Sequence, residues 1–167
     1  MDEPATLQVV PIDHRDQRVA AALVVLQRTS YRVEAELIGS DAIPPLQESA
    51  HAVAALELTF LAIEDEDELV GAVGYAVADG VLDIDRLMVH PRRFRAGLAS
   101  RLVDAVLDHV PHERAVVSTG QGNHPARRLY ERAGFVHRAD IIVTPTLVVS
   151  NYERPVPSTG SSRATSP

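Results

Sequence analysis

Residues 84–102 (IDRLMVHPRRFRAGLASRL) combine the residue types that bind phosphate groups. An apolar stretch ends at His90 and Pro91, an arginine-rich loop follows, and small residues then lead into a stretch with helical periodicity. The first turn of a helix offers about four unpaired N–H groups and a partial positive charge, and small residues let an anion approach them. These features predict an anion-binding turn, with ordinary helix packing as the alternative, at Arg95, Ala96, Gly97, Leu98, Ala99 and Ser100.

Residues 123–135 (NHPARRLYERAGF) predict a second capped helix with a tyrosine near its middle. Asn123 lies at the entry, Pro125 suits the first turn, and Gly134 suits the position after the last turn. From its position alone, Tyr130 is either a core residue between two helix turns or a functional hydroxyl, which as a phenol is protonated at neutral pH.

Together the two segments resemble the acyl-CoA-binding motif, and the motif that follows it, of the GNAT acetyltransferase superfamily. The resemblance is strong over residues 82–135, where HPRRFRAGLASRL precedes N-x-P-A-x-x-L-Y-E-x-x-G-F, and looser over the whole order of elements. Many members carry Arg or Gln where this chain has Phe94, so the expected pyrophosphate contact rests on backbone amides and Arg95.

The resemblance implies transfer of an acetyl group from acetyl-CoA to a primary amine, by direct attack in a ternary complex and without a metal. It makes Tyr130 the general acid that protonates the departing sulfur. Backbone N–H groups of the strand before the turn would hold the thioester, and preorganised donors of this kind are worth roughly 3 to 4 kcal/mol in acyl transfer. The residues implied to hold the thioester and line the CoA channel are Leu87, Met88, Val89, Asn123 and Ala126.

The general base stays open at this stage. An aliphatic amine is protonated at pH 7, so a group on the protein has to accept its proton before attack. Strand alternation predicts that Asp83, Asp85, Leu87 and Val89 share one face, with Asp85 nearest the expected thioester. Asp85 is therefore the candidate base, and a solvent-exposed strand residue is the alternative.

Residues 29–45 (TSYRVEAELIGSDAIPP) occupy the place where the superfamily keeps its acceptor-binding loops. Tyr31, Glu34 and Glu36 lie in an otherwise apolar stretch, and an acidic pocket with an aromatic edge favours a cationic amine. We predict that these three residues contact a small-molecule or peptide amine. A helix with an exposed acidic face fits the segment equally well.

Composition limits the remaining classes of function. The 167 residues contain no cysteine and no lysine, so thiolate nucleophiles, disulfides and Schiff bases are excluded. A net charge of −7 argues against a nucleic-acid partner. We expect no membrane partner and a cytoplasmic location, because the N-terminus is acidic and no apolar run approaches the ~18 residues of a membrane span.

Periodicity and turn residues predict an α/β or α+β fold, with a sheet covered by helices on both faces. The resemblance implies that this fold is GNAT-like, with a mixed and mostly antiparallel central sheet. A single domain is expected over residues 1–152, followed by a flexible tail rich in Pro, Ser and Thr at 153–167. The expected strands are 6–12, 57–63, 69–78, 81–90, 114–119 and 141–151, and the expected helices are 14–28 (capped by Asp13), 45–56, 97–110 and 125–134, with a break at Gly39.

Two other functions remain open from the sequence. The first is a catalytically silent module that senses acyl-CoA, and the second is an acyltransferase that uses a longer acyl-CoA. A homodimer formed through an exposed sheet edge is also compatible with such a fold.

Overall fold

The structure of the protein is a computed structural model, and it describes residues 7–155. The strands are β1 (Val9–Ile12), β2 (Thr59–Asp65), β3 (Glu68–Ala78), β4 (Val81–Val89), β5 (Arg114–Gly120), β6 (Val136–Thr144) and β7 (Leu147–Pro155). The helices are α1 (Gln17–Ile38), α2 (Ala50–Ala54), α3 (Leu98–His109) and α4 (His124–Arg132), and short 3-10 turns lie at Pro44–Leu46 and Pro91–Arg93. No helix within 7–155 has both the length and the apolar character needed to cross a bilayer.

The seven strands form one sheet in the order β1-β2-β3-β4-β5-β7-β6. Every neighbouring pair is antiparallel except β4 and β5, which are parallel. Helices α1 and α2 pack on one face, and α3 and α4 pack on the other. This arrangement confirms the predicted fold class.

Strands β4 and β5 pair over only part of their length. The pairing joins Val81 to Arg114 and ends where Ile84 meets Val117, although both strands continue beyond that point. At the same level β4 bulges against β3, because Asp85 has no partner on the neighbouring strand. The bulge turns β4 away from β5 and opens a gap in the middle of the sheet.

Two apolar cores lie on opposite faces of the sheet. We call them the α1/α2 core, which includes Phe60 and Met88, and the α3/α4 core, which includes Leu82 and Leu102; all four side chains are fully buried. Alternating residues of the central strands contribute to each core in turn, as the two-residue period of a strand requires. The gap between β4 and β5 therefore connects the two faces.

Helix α1 differs from the prediction at both ends. Its N-cap is Asp16, whose carboxylate accepts hydrogen bonds from the Arg18 and Val19 amides, whereas the carboxylate of Asp13 accepts only from Arg15 in the preceding turn. The helix then continues past Arg28 through the first part of residues 29–45 and ends at the predicted break, Gly39, which adopts a left-handed φ of 67°. Packing of its apolar face against the sheet explains the added length.

Two other predicted elements are each interrupted by turn residues. The expected strand 141–151 is the second half of one strand and the first half of another, since Pro145 and Thr146 turn the chain between β6 and β7. The expected helix 45–56 is a 3-10 turn followed by α2, whose N-cap is Ser49. Strand β7 extends to Pro155, three residues into the predicted tail; residues 156–167 lie outside the described part of the chain.

Candidate active site

A cavity of about 250 Å³ occupies the gap between β4 and β5. The C-terminal half of α1, the turn around Pro44 and Pro45, the start of α4 and strand β7 complete its walls. The structure thus brings together residues that are far apart in the sequence. The predicted site residues that line the cavity are Tyr31, Glu34, Asp85, Leu87, Asn123, Ala126 and Tyr130.

Tyr130 reaches the cavity from the α3/α4 core. Its ring packs against the Phe135 ring with centroids 5.7 Å apart, and the residue is only 4% exposed. Burial, followed by the negative charge of Glu34, raises the pKa of the Tyr130 phenol above its usual value. Tyr130 is therefore a protonated hydroxyl throughout the neutral pH range.

Glu34 reaches the same cavity from α1. Burial raises the pKa of its carboxyl group, although hydrogen bonds from the Asn123 side chain, the Gly120 amide and Thr119 oppose the shift. The Thr119 hydroxyl oxygen lies 3.5 Å from Glu34 Oε1. Within residues 7–155 no arginine or histidine forms an ion pair with this carboxylate. The hydrogen-bond partners of the Glu34 carboxylate in this part of the chain are therefore all uncharged.

A close contact between α1 and the β5–α4 turn holds the donors Thr119, Gly120 and Asn123 next to Glu34. A side chain at Gly122 would put its Cβ 2.9 Å from the backbone oxygen of Leu37, so this position requires glycine. The contact brings the end of β5 and the N-cap of α4 against the last turns of α1. There Asn123 caps α4 by accepting a hydrogen bond from the Ala126 amide at 3.2 Å, and the residue is 9% exposed.

Glu36 does not belong to the cavity, contrary to the prediction. It is exposed on α1, whereas Glu34 and Tyr31 face the sheet. Residues two positions apart on an α-helix point in nearly opposite directions, because successive residues are about 100° apart. Of the two carboxylates of the acidic segment, Glu34 therefore lines the cavity and Glu36 lies on the exposed face of the helix.

Asp85 lines the cavity but is engaged by a cation. Its Oδ2 atom lies 2.6 Å from Nε of Arg86, and its side chain is 42% exposed. The bulge at Asp85 also corrects the predicted alternation, because Leu87 and Val89 pack with the α3/α4 core and share it with Ile84. Asp83 therefore does not share a face with Leu87 and Val89.

The strand amides that face the gap are fewer than predicted. The His90 amide donates to Val70 of β3 at 2.8 Å, and strand alternation turns the Met88 amide in the same direction. The Val89 amide points to the other side and donates to Ser30 Oγ of α1 at 3.2 Å. Leu87 alternates with Val89, so its amide is the one directed into the gap, while Met88 is fully buried in the α1/α2 core.

The predicted anion-binding turn has the backbone that such a site requires. Gly97 is the N-cap of α3 at a left-handed φ of 75°, and no side chain caps the helix. The amides of Leu98, Ala99 and Ser100 precede the first helical hydrogen bond, which Arg101 donates to the Gly97 oxygen at 3.1 Å. A Cβ on Gly97 would meet no atom within 4 Å, so there is space beside these amides for a phosphate group.

Arginines before the turn have separate partners. Arg92 pairs with Glu68 at 2.8 Å, and Arg93 pairs with Asp65. Arg95 is exposed beside Ala96 and has a left-handed φ of 64°. Among the described residues the Arg95 guanidinium forms no ion pair, so it is the one of the three loop arginines that is available to bind an anion.

Residues 21–135 match the model of the acetyltransferase (GNAT) family, which is more than half of the chain. The chain belongs to the GNAT acetyltransferase family. It is 33% identical to the UPF0157 protein YqkA of Bacillus subtilis (strain 168) over 142 residues. That match covers 84% of this chain and 41% of YqkA, so the chain spans less than half the length of this relative.

Solved GNAT structures share the fold at low sequence identity. The ribosomal-protein-S18-alanine N-acetyltransferase from Escherichia coli superposes with a TM-score of 0.73 at 14% identity, over 94% of this chain and 98% of that one. The PaiA N-acetyltransferase from Thermoplasma acidophilum, solved in complex with coenzyme A, gives a TM-score of 0.68 at 11% identity, over 90% and 99% of the two chains. YncA from Salmonella typhimurium, solved with its cofactor acetyl-CoA, gives 0.70 at 15% identity, over 96% and 99%.

Two cavity residues of this GNAT domain, Thr119 and Arg86, were not predicted from the sequence. Thr119 follows Ala115 and Val117 at the inward positions of β5, so a polar residue in a core-facing series was the available signal. Arg86 likewise lies among apolar strand residues. It is 6% exposed and joins β4 to the turn that precedes α2.

Arg86 is the centre of a buried polar network. Its Nη1 donates to Glu48 Oε2 at 2.7 Å and to Gln27 Oε1 at 2.8 Å, and its Nε donates to Asp85. Glu48 lies just after the two prolines that line the cavity. The network therefore fixes this part of the cavity wall to the central sheet.

Replacing Glu48 by glutamine should lower the free energy of unfolding by roughly 2 to 3 kcal/mol. Breaking a fully buried ion pair costs about 3 to 5 kcal/mol, and the effect here is smaller because Glu48 is partly exposed and Asp85 still pairs with Arg86. Urea unfolding at pH 7 measures the difference. Glu57→Gln, an exposed change of the same charge, is the control; equal stability of the two variants would contradict the prediction.

Proposed function

We propose that this GNAT domain transfers an acetyl group from acetyl-CoA to a primary amine of a small molecule or peptide, by direct attack in a ternary complex. The observation that carries the proposal is the cavity at the β4–β5 gap, where the Tyr130 hydroxyl and the Glu34 carboxylate approach from opposite faces of the sheet. A proton donor and an anionic group there suit a leaving thiolate and an incoming ammonium. Because the chain contains no cysteine, a covalent acyl-cysteine step is excluded.

The donor half of the site fits a CoA pyrophosphate. Free amides at the start of α3, the space beside Gly97 and the guanidinium of Arg95 supply donors and positive charge. Asn123 and Ala126 line the channel, and the Leu87 amide is the donor that would polarise the acyl carbonyl. Bound acetyl-CoA supplies the acetyl thioester.

The acceptor half favours a cation. Glu34 and Asp85 line this side of the cavity, Arg86 is the one arginine among its lining residues, and Arg86 is itself paired with Glu48. Tyr31 contributes an aromatic edge, and burial, then the charge of Glu34, raises the pKa of its phenol. A protonated amine is attracted by this excess of carboxylate, while an anionic acceptor is repelled.

The proposed acceptor is a primary amine of either a small molecule or a peptide. The E. coli structural neighbour acts on an alanine of ribosomal protein S18, which keeps a peptide amine in scope beside small amines. A longer acyl-CoA donor and a silent acyl-CoA sensor are the competing functions.

Calorimetric titrations with acetyl-CoA and with free CoA test the proposal first. We expect micromolar binding of both, and then CoA thiol release in the presence of butylamine, phenethylamine, putrescine or a tripeptide that begins with alanine. The protein has no thiol of its own, so the thiol signal is free of background. Binding without thiol release from any amine would favour the sensor, and faster release from butyryl-CoA than from acetyl-CoA would favour the longer donor. No binding and no thermal stabilisation would refute acyl transfer.

We also propose a homodimer that forms through β6. This strand forms one of the two edges of the sheet in the described part of the chain, and Ile141, Ile142 and Val143 are 49%, 76% and 57% exposed on it. An unpaired apolar edge of this kind favours strand pairing with a second copy. Light scattering should give about twice the mass of the 18.1 kDa chain, and the monomer mass would contradict the proposal.

A further inference from the structure

We propose that Glu34 is the general base, which accepts a proton from the acceptor ammonium before the amine attacks; this inference rests on the proposed function. The sequence favoured Asp85 for that role. The arrangement of charges around the two carboxylates distinguishes between them.

Asp85 already has a cationic partner. Arg86 donates to it at 2.6 Å, and the Asp85 side chain is partly open to solvent. A carboxylate paired with a guanidinium already has a countercharge and attracts a second cation less strongly. Asp85 is therefore suited to holding Arg86 in place rather than to receiving the substrate ammonium.

Glu34 has the opposite surroundings. Its contacts are neutral donors, namely the Thr119 hydroxyl and Gly120 amide of β5 and the Asn123 side chain at the start of α4. A half-buried carboxylate that meets donors but no counter-ion among residues 7–155 retains an unbalanced negative charge facing the cavity. A substrate ammonium would supply the missing countercharge at that point.

Few other titratable groups face Glu34. Tyr130 approaches from α4, Tyr31 from α1 itself, and Asp85 and Arg86 line the same cavity from β4. The residues of β7 and of the turn before α2 that line the cavity are apolar. The environment thus disfavours the charged form of Glu34, and burial raises the pKa of its carboxyl group toward the range in which a carboxylate is an effective base.

The position of Glu34 also links the base to the acid. The negative charge of Glu34 contributes to the raised pKa of the Tyr130 phenol. Once Glu34 has accepted a proton, that contribution disappears and Tyr130 becomes a stronger acid. Deprotonation of the amine therefore prepares Tyr130 to protonate the leaving sulfur.

The step balances without another reactant. Glu34 removes one proton from R–NH3+, and the freed lone pair on nitrogen forms the C–N bond to the acyl carbon. The C–S bond breaks with its electron pair on sulfur, which takes the Tyr130 proton. The nitrogen passes its surplus proton to the Tyr130 phenolate, and Glu34 releases its own proton to solvent. The products are the amide, the thiol and one proton.

Comparison of Glu34→Gln, Asp85→Asn and Glu36→Gln tests the inference, with the fastest of the four amines named above as the acceptor. We expect kcat of Glu34→Gln to fall by at least about 100-fold, the lower end of general-base effects. Acetyl-CoA affinity should stay within about twofold of the wild type. Glu36→Gln is the matched control, since it removes the same charge from the exposed side of the same helix, and it should leave both quantities unchanged.

The pH profile distinguishes a base from a structural residue. In the wild type, kcat should fall as pH decreases through the raised pKa of Glu34, because the protonated carboxyl cannot accept a proton. This limb should disappear in Glu34→Gln, whose rate should instead rise with pH toward the pKa of the acceptor itself, where the acceptor loses its proton unaided; that pKa is ~10.4 for an alkylamine and ~8 for an α-amino group. Asp85→Asn should keep the limb.

Folding of the variant is checked separately. A raised pKa in the folded state means that the ionised carboxylate disfavours folding as pH rises through that pKa, so Glu34→Gln should unfold at no lower temperature than the wild type at pH 7. Unchanged kcat in Glu34→Gln, or loss of the acidic limb in Asp85→Asn, would overturn the inference alone. Wild-type protein that binds acetyl-CoA but acetylates none of the four amines would overturn it together with the proposed function.

Discussion

Replacing Tyr130 by phenylalanine is expected to lower kcat for amine-dependent thiol release by roughly 100- to 10,000-fold, the usual contribution of a positioned general acid. The phenylalanine ring keeps the contact with Phe135 and fills the same space in the α3/α4 core. Acetyl-CoA affinity should therefore remain within about twofold, since a shape-conserving change has little effect on packing. Steady-state kinetics and a calorimetric titration measure the two quantities.

Burial holds the pKa of the Tyr130 phenol above its usual value, so the hydroxyl stays protonated through the neutral range. The loss of kcat should therefore be nearly constant between about pH 6 and 9. Tyr75→Phe removes a hydroxyl from β3 outside the lining of the cavity and is the control. A loss of less than about fivefold in Tyr130→Phe would remove Tyr130 from the mechanism.

Replacing Gly97 by glutamate should weaken acetyl-CoA binding by at least about 100-fold, as expected when a fixed negative charge faces phosphate oxygens in place of free amides. The added side chain would occupy the open space beside the α3 amides. Calorimetry with acetyl-CoA and with free CoA should show the same loss, because both carry the pyrophosphate.

Gly39→Glu is a closely matched control for this variant. Gly39 also has a left-handed φ, 67° against 75° at Gly97, and a Cβ there also meets no atom within 4 Å. The two variants therefore share the backbone strain of about 1 to 2 kcal/mol and the same change of charge. Equal loss of acetyl-CoA affinity in both would show that strain or net charge, rather than the turn before α3, causes the effect.

Local signals predicted the backbone of the turn at Gly97, of α4 and of one hairpin turn. Small residues before an amphipathic stretch placed the turn at Gly97, and the Asn-x-Pro entry placed α4 with Tyr130 on it. The Asp79–Gly80 turn also lies where predicted, with left-handed φ values of 52° and 75°. Each of these features depends on residues within a few positions of one another, so it can be read from the chain.

The acceptor half could not be predicted in the same way. Whether Glu34 or Glu36 faces the cavity depends on the rotation of α1 against the sheet, which packing of the whole helix decides. Arg86 meets Gln27 and Glu48 across separations of 59 and 38 residues. No local pattern encodes those distances.

The sequence by itself determined the family, the kind of cofactor turn and the candidate acid, because those motifs are short and the backbone conformations they require are local. Only the tertiary structure decided which cavity carboxylate has an arginine partner and which β4 amide is directed into the gap. The bulge at Asp85 reverses the faces of β4, and Ser30 occupies the Val89 amide. Arg86 neutralises Asp85, whereas Glu34 is buried among neutral donors. Charge compensation and burial are set by contacts between distant segments, and those contacts exist only in the folded chain.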